Sequence, residues 1–594
     1  MKRTLFAAAA AMAAVLVMSP LAPAATADTP PPNCVAKTAG APVFVDATCV
    51  DPTYATPVID SQSDVTQPAT AHLVQGHFDG TSVSFRIYLP PKNVWHNRFF
   101  QFTYPLDGQE PVDSVAFATT HGGYSVQTSG IAGYRHAAAA AKFARTVAAN
   151  FYGVNGAGIF GYLYGWSGGA FQVDGALEYT SGVWQGAVPI VQGSPLSVIH
   201  NFSVRALATF VLKDKKDQLE AAERPGGSGN PNAGLSPMES AVLKEATRMG
   251  IPLKAWEDFD YLATTVAFDG FVALVPQIDP TYVADFWSKP GYLGTEQSAL
   301  GDFFRQAVAQ DPSLRARLAL MAYHRYTIPA SGFDAAYGQF RNADGTPLYP
   351  QRATNVARII SSSITGGATF SGTINVKVIA VNSTVDADAY PWEGAWYADQ
   401  IRSALGSRAD AQFRVWYTEN ADHDPENRTG AGADRLVGYV PIVYRALDDL
   451  SSWVERGTVP AKSSSYRIAQ DNQLVLSDSI NRGGVQPLVD LTIQGAGHRC
   501  DARTGETVDF NARIQVPPGT GSIVSVEWDP KGDGNFQPVT ISSGRTTLVV
   551  HTSYRFTAAG TYYPTMRVGS QRDGDSTQTL TTAQNLDRTN VVVK

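Results

Sequence analysis

Cysteine is scarce in this chain of 594 residues, which holds three: Cys34, Cys49 and Cys500. None stands in a C-x-x-C pair and no H-E-x-x-H occurs, so the sequence signatures of a zinc site built from cysteines or paired histidines are missing. No metal or cofactor is expected. Charge is sparse too, at 17% of residues, and its balance is acidic, -7 with histidine neutral. A nucleic-acid partner requires a basic stripe, and there is none. Beyond the N-terminus no apolar run is expected to reach the length of a membrane span. The strongly apolar stretch is the start itself: MKRTLFAAAAAMAAVLVMSPLAPAATA has a basic opening, an apolar run and small residues ending in Ala25-Thr26-Ala27. This is the pattern of a secretory signal peptide cut before Asp28, and it predicts a secreted protein. In an oxidising compartment Cys34 and Cys49 are close enough in sequence to close a small loop, which leaves Cys500 over.

What the chain does hold is IFGYLYGWSGGAFQVD (159 to 174), an apolar run turning into helix-compatible sequence with a serine at the corner. Gly165-Trp166-Ser167-Gly168-Gly169 fits G-x-S-x-G, the nucleophile elbow of α/β-hydrolases. The turn forces the serine into a strained backbone conformation, and side chains at the glycine positions would collide with the neighbouring strand and helix. Around it, residues 67 to 104 predict three early strands and GYSVQTSG (123 to 130) a fourth. YRHAAAAAKFARTVAAN (134 to 150) predicts a helix, and WQGAVPIVQGSP (184 to 195) a buried strand. Strands alternating with helices imply a largely parallel sheet covered on both faces. From about 200 to 370 the sequence becomes helical and aromatic-rich, an insertion where this fold carries a lid. The sheet pattern resumes with NVKVIAVNS (375 to 383), a helix at 391 to 405, QFRVWYTE (412 to 419) and a closing helix at 433 to 457.

The length exceeds one compact core. The expected division is a signal peptide (1 to 27), an α/β-hydrolase domain (28 to 457), a linker (458 to 487) and an immunoglobulin-like β-sandwich (488 to 594), which shows no helical periodicity. Its EWDPKGDGNF and YRFTAAGTYYPTMRV are similar to the hallmark segments of a PKD-type domain, with one extra residue in the turn. Lys531 at the third position and Thr540 at the twelfth exclude an EF-hand, leaving turn chemistry for those aspartates.

A serine hydroxyl needs an imidazole to take its proton and a carboxylate to hold that imidazole, in the chain order nucleophile, acid, histidine. The loop VIAVNSTVDADAYP offers Asp386 and Asp388. Asp386 is preferred because its distance from the strand end matches the usual H-G-x-x-D arrangement, with Asn382-Ser383 where His-Gly would be. After the last strand, VWYTENADHDPEN supplies His423. For the oxyanion, the Gly168 N–H is one expected donor. The second is expected from FTYPLDG (102 to 108), where Pro105 has no N–H and Tyr104 and Leu106 are alternatives.

These residues resemble the tannase and feruloyl esterase family, through VWHNRFFQF (94 to 102), AFATTHGGYSVQTSG (116 to 130), RHAAAAAKFARTVAANFYG (135 to 153), the elbow with LEYTSGVWQGAVPIVQGSP, and the loops of Asp386 and His423. The resemblance spans most of 65 to 455 and implies a serine esterase acting on esters of aromatic acids. It departs from the family in three places. Trp166 and Asp424 stand where a disulfide commonly joins the serine and histidine loops, Thr103-Tyr104-Pro105-Leu106 replaces a glycine-rich oxyanion loop, and the lid's calcium-binding string is absent. The expected partner is therefore a small or polymer-linked ester, with a polysaccharide or surface contact for the C-terminal domain. A serine peptidase on the same fold and a non-catalytic polymer-binding protein are the alternatives.

Overall fold

The computed structural model describes residues 31 to 594 except 132, 265, 427 to 431 and 543. The expected signal peptide lies outside the described residues. Nine strands build one sheet: β1 (Pro57–Val65), β2 (Ala71–Phe78), β3 (Ser84–Leu89), β4 (Arg98–Tyr104), β5 (Gly123–Ser129), β6 (Phe160–Trp166), β7 (Gly186–Ile190), β8 (Lys377–Ser383) and β9 (Phe413–Thr418). Their order across the sheet is β9-β8-β7-β6-β4-β5-β3-β2-β1. From β9 to β5 neighbours run parallel, while β3, β2 and β1 continue as an antiparallel meander. Chain order is kept except that β4 and β5 exchange places. This is the sheet of the α/β-hydrolase fold, extended by the edge strand β1.

The parallel strands read as continuous apolar runs because both faces are covered. Side chains alternate between faces, so Val378 and Ala380 enter the core beneath α1 (Arg135–Tyr152) and α2 (Gly168–Tyr179). Ile379 and Val381 enter the opposite core, under α5 (Val440–Arg456). Between these helices in the chain lie α3 (Ser197–Leu212), which opens the insertion, and α4 (Pro391–Leu405), which follows β8. The closing helix begins at Val440 rather than 433, with Pro441 in its first turn, where its missing N–H costs nothing.

The insertion between β7 and β8 is helical, and its aromatics serve each other. Tyr282 and Tyr323 have ring centroids 4.8 Å apart, and Tyr292 and Tyr326 4.6 Å. One expectation is corrected here. Phe259–Ile278, 20 residues with a mean hydropathy of 1.3, does reach the length and composition of a membrane span. Phe268, Phe271, Leu274 and Val275 fall on one helical face and are buried, while 31% of the window as a whole is buried.

Residues 458 to 487 run as a strap along the sheet edge. Ser464 N donates to Val415 O at 2.8 Å, and a short hairpin (Tyr466–Ile468 with Leu474–Leu476) lays Tyr466 against Tyr417. Cys34 and Cys49 are disulfide-bonded and Cys500 is free. The C-terminal strands form a sandwich around Phe510, Ile514, Val526 and Trp528. In its turn Asp529 accepts the N–H groups of Lys531, Gly532 and Gly534, which is a backbone-capping role.

Candidate active site

The elbow follows from close packing. Ser167 caps α2 at φ 52°, ψ -118°. A Cβ on Gly165 would meet Thr103 O at 2.5 Å and one on Gly169 would meet it at 2.3 Å, so β4 and the turn approach too closely for any side chain. A Cβ on Gly168 would strike Pro105 at 2.9 Å. The Gly168 N–H, first of the orphan donors of α2, makes no hydrogen bond among the described residues.

Asp386 and His423 stand on loops leaving β8 and β9 at the same sheet edge. His423 Nδ1 meets Asp386 Oδ2 at 2.8 Å, with 11% of the histidine side chain and 1% of the aspartate's exposed. The other carboxylate oxygen accepts the N–H groups of Asp388 and Ala389, each at 2.8 Å. Burial lowers the imidazole's pKa, but the charge and hydrogen bond of Asp386, with Asp388 and Asp422 nearby, outweigh it and raise His423 to about 9. Asp388 faces elsewhere. It is paired with Arg205 of α3 and accepts from the Tyr261 hydroxyl at 3.4 Å. Of the two aspartates, Asp386 is the one hydrogen-bonded to His423.

Ser167 and His423 are not hydrogen-bonded to one another among the described residues. The Ser167 hydroxyl lies beside the Tyr104 phenol instead, close enough to lower the phenol's pKa. The ring of Tyr104 runs along the elbow, its Cδ2 3.3 Å from where a Gly169 Cβ would lie and its Cε2 4.0 Å from a Gly168 Cβ. Burial raises the phenol's pKa, with the Ser167 hydroxyl acting the other way. Leu106 is half-buried against the second core, and its N–H makes no hydrogen bond among the described residues.

Sequence reasoning missed Glu393. Its buried carboxyl accepts from Ser194 at 3.1 Å, Asn201 at 3.0 Å and Tyr390 N at 3.0 Å, tying α3 and α4 to the acid loop. Burial pushes it up to about 8 despite these bonds. Its only sequence signal is a helix-start glutamate after Pro391.

Asp386, Asp388 and His423 hold their polar atoms within 4.8 Å of one another, as a metal site would. Those atoms are already engaged by the loop amides, Arg205 and one another, which is the pattern of a hydrogen-bonded acid and base. A cavity of about 360 Å³ backs onto these loops through Val385 and Asp422, with Glu223, Lys254 and Arg588 on its far walls. Neither Ser167 nor His423 lines it, so an acyl carbon would not meet the nucleophile there.

Sheet order and elbow together define the α/β-hydrolase fold. The family model of the PKD domain matches residues 490 to 583. Among curated proteins none matches the chain in sequence. Among solved structures the chain is similar to the tannin acyl hydrolase from Aspergillus niger, at 13% identity and a TM-score of 0.39 over 71% of this chain and 86% of that one. It is similar to feruloyl esterase B from Aspergillus oryzae at 13% identity and a TM-score of 0.36, over 69% and 89%. For Candida antarctica lipase A in its closed state the figures are 13% and 0.30, over 69% and 86%.

Proposed function

We propose that this chain is a secreted serine esterase that cleaves carboxylic esters through an acyl-enzyme. The observation that carries the reading is the buried Asp386 bonded at 2.8 Å to His423, on the sheet edge where Ser167 is held at a positive φ of 52°. With Nδ1 given to the carboxylate, Nε2 is the ring atom left to take the Ser167 proton as Oγ attacks the acyl carbon. The imidazolium then hands that proton to the departing alcohol. Water repeats the sequence to release the acid and restore the serine. In free enzymes such hydrogen bonds are often long and tighten only around substrate, so Ser167 turns to His423 in the reacting complex.

The negative charge on the acyl oxygen is met by the Gly168 N–H and the Tyr104 O–H. Pro105 removes the backbone donor at the next position, and the phenol beside Ser167 takes over its task. Burial keeps the phenol protonated and able to donate. Tyr104→Phe keeps the ring, with centroid 6.4 Å from that of Phe102, and removes the donor. The expected result is a kcat lowered on the order of a hundredfold with KM little changed. A variant faster than the parent would mean that the phenol merely restrains the serine, and the role would be lost.

The sequence resemblance points to aromatic acyl groups of the ferulate or gallate kind. A rate comparison on nitrophenyl acetate, methyl ferulate and a peptide anilide tests both chemistry and preference, with Ser167→Ala as control. Ester turnover that depends on Ser167, fastest on the ferulate ester, is expected. Cleavage of the anilide alone would make it a peptidase, and no Ser167-dependent turnover would leave a binding protein.

A further inference from the structure

We propose that the C-terminal sandwich is a working part of the hydrolase: its strand Ala583–Arg588 clamps the loop that presents His423, with Asn585 as the positioning residue. The inference rests on reading His423 as the general base. It begins at Asn420, three positions before the histidine. Asn420 adopts a left-handed backbone with φ 56°, which asparagine tolerates better than most residues. Its side-chain amide donates to Asn585 Oδ1 at 3.0 Å and to Leu586 O at 2.9 Å, so both of its hydrogens are spent on the sandwich. The preceding residue is held through the end of the linker. Glu419 N donates to Gln486 Oε1 at 2.8 Å, and Gln486 Nε2 donates back to Glu419 O at 3.0 Å and across to Gln584 O at 2.8 Å.

Asn585 closes the network. It is 1% exposed, and every arm of its amide is used. Oδ1 accepts from Asn420 and from Leu586 N, while Nδ2 donates to Glu419 Oε2 at 3.1 Å and to Pro487 O at 2.8 Å. In so dry a place a lost partner is not replaced by solvent. The other end of the loop belongs to the hydrolase: Val385 N donates to Ala421 O at 2.9 Å and the Tyr439 hydroxyl to His423 O at 3.2 Å. The histidine loop is therefore a seam: the linker and the sandwich hold Glu419 and the Asn420 side chain, while the hydrolase holds the Asn420 backbone through Thr384 Oγ1 and Val437 N and, beyond it, Ala421 and His423. Ion pairs dock the sandwich along its length, Arg588 with Glu257 at 2.7 Å and Arg572 with Asp449 at 2.6 Å. A module that only spaced the enzyme from a surface would need none of this.

The test uses the full chain, with Asn585→Ala compared against Ile514→Val. Ile514 is wholly buried in the other sheet of the sandwich, paired with Val489, and its substitution by valine trims one methyl from that core and leaves every hydrogen bond of the seam in place. Misplacing a catalytic group by about 1 Å costs on the order of a hundredfold, so Asn585→Ala is expected to lower kcat on a nitrophenyl ester by about tenfold or more with KM unchanged. It should also move the acid-side midpoint of kcat/KM downward, as the contact between Asp386 and His423 loosens. Ile514→Val should lower the melting temperature and leave kcat and the midpoint alone. Should Asn585→Ala fail to fold, Asn420→Gly keeps the left-handed backbone, removes the same donors from the other side, and is expected to give the same two changes. Parental kcat and midpoint in Asn585→Ala or Asn420→Gly, or equal losses in Asn585→Ala and Ile514→Val, would overturn the clamp. A fully active Ser167→Ala would instead strike at the site reading beneath it.

Discussion

Ser167→Ala is expected to erase ester turnover, with kcat lower on the order of a millionfold, and to leave the fold intact. The size follows from the hydroxyl being the atom that joins the acyl carbon: without it, donors and base have no covalent step to assist. Retention of fold follows from how the turn is held. Ser167 N donates to Ile190 O at 3.1 Å and Ser167 O accepts from Ala170 N at 3.0 Å, both backbone contacts that alanine keeps. The glycines on either side, not the serine side chain, admit the close approach of β4. Initial rates, with intact mass after a fluorophosphonate, check both halves: the parent gains one adduct and the variant none. Undiminished turnover would remove Ser167 from the chemistry.

Asp386→Asn is expected to lower kcat by about 10,000-fold. The substitution is nearly isosteric, and the new amide oxygen can still accept the N–H groups of Asp388 and Ala389. The amide nitrogen then faces His423 Nδ1, where it can only donate. This forces the ring proton onto Nε2, the atom that must accept from serine. A second readout separates this from general damage. In the parent, His423 is raised to about 9, so the imidazolium predominates at neutral pH and the base form grows as pH rises. The kcat/KM of the parent should therefore climb through the alkaline range and level off above about 9. Without the Asp386 charge the midpoint should fall toward the ordinary histidine value of about 6.5. The same raised pKa stabilises the folded state below about 6.5 and ceases to do so as pH passes through the folded value. A parental midpoint in Asp386→Asn would deny the carboxylate its role.

Much of the hydrolase core was legible because its signals are local. β6, the glycines around Ser167 and the alanine face of α1 write their surroundings into adjacent residues. Asp386 and His423 could be placed because loop residues after β8 and β9 must emerge at one sheet edge. The edge strand β1 was not legible. Its Asp60, Ser61, Gln62 and Ser63 are all exposed, so no alternation between dry and wet faces marks it as a strand. Tyr104 read as a backbone donor, because nothing in the sequence tells where a strand-end side chain will lie. Asn585 was invisible for a stronger reason: its partner Asn420 lies 165 positions earlier, and only the folded chain joins them.

The pairing of Arg205 with Asp388 bears on how far the insertion can part from the sheet. One stands on α3 at the root of the insertion and the other on the acid loop, and 4% of the arginine side chain is exposed. Swinging the whole insertion away would strip a buried cation of its counter-charge, a disruption of about 3 to 5 kcal/mol, and would also tear Asn201 from Glu393. The root of the insertion and the acid loop are thus riveted together, and one would have to travel with the other.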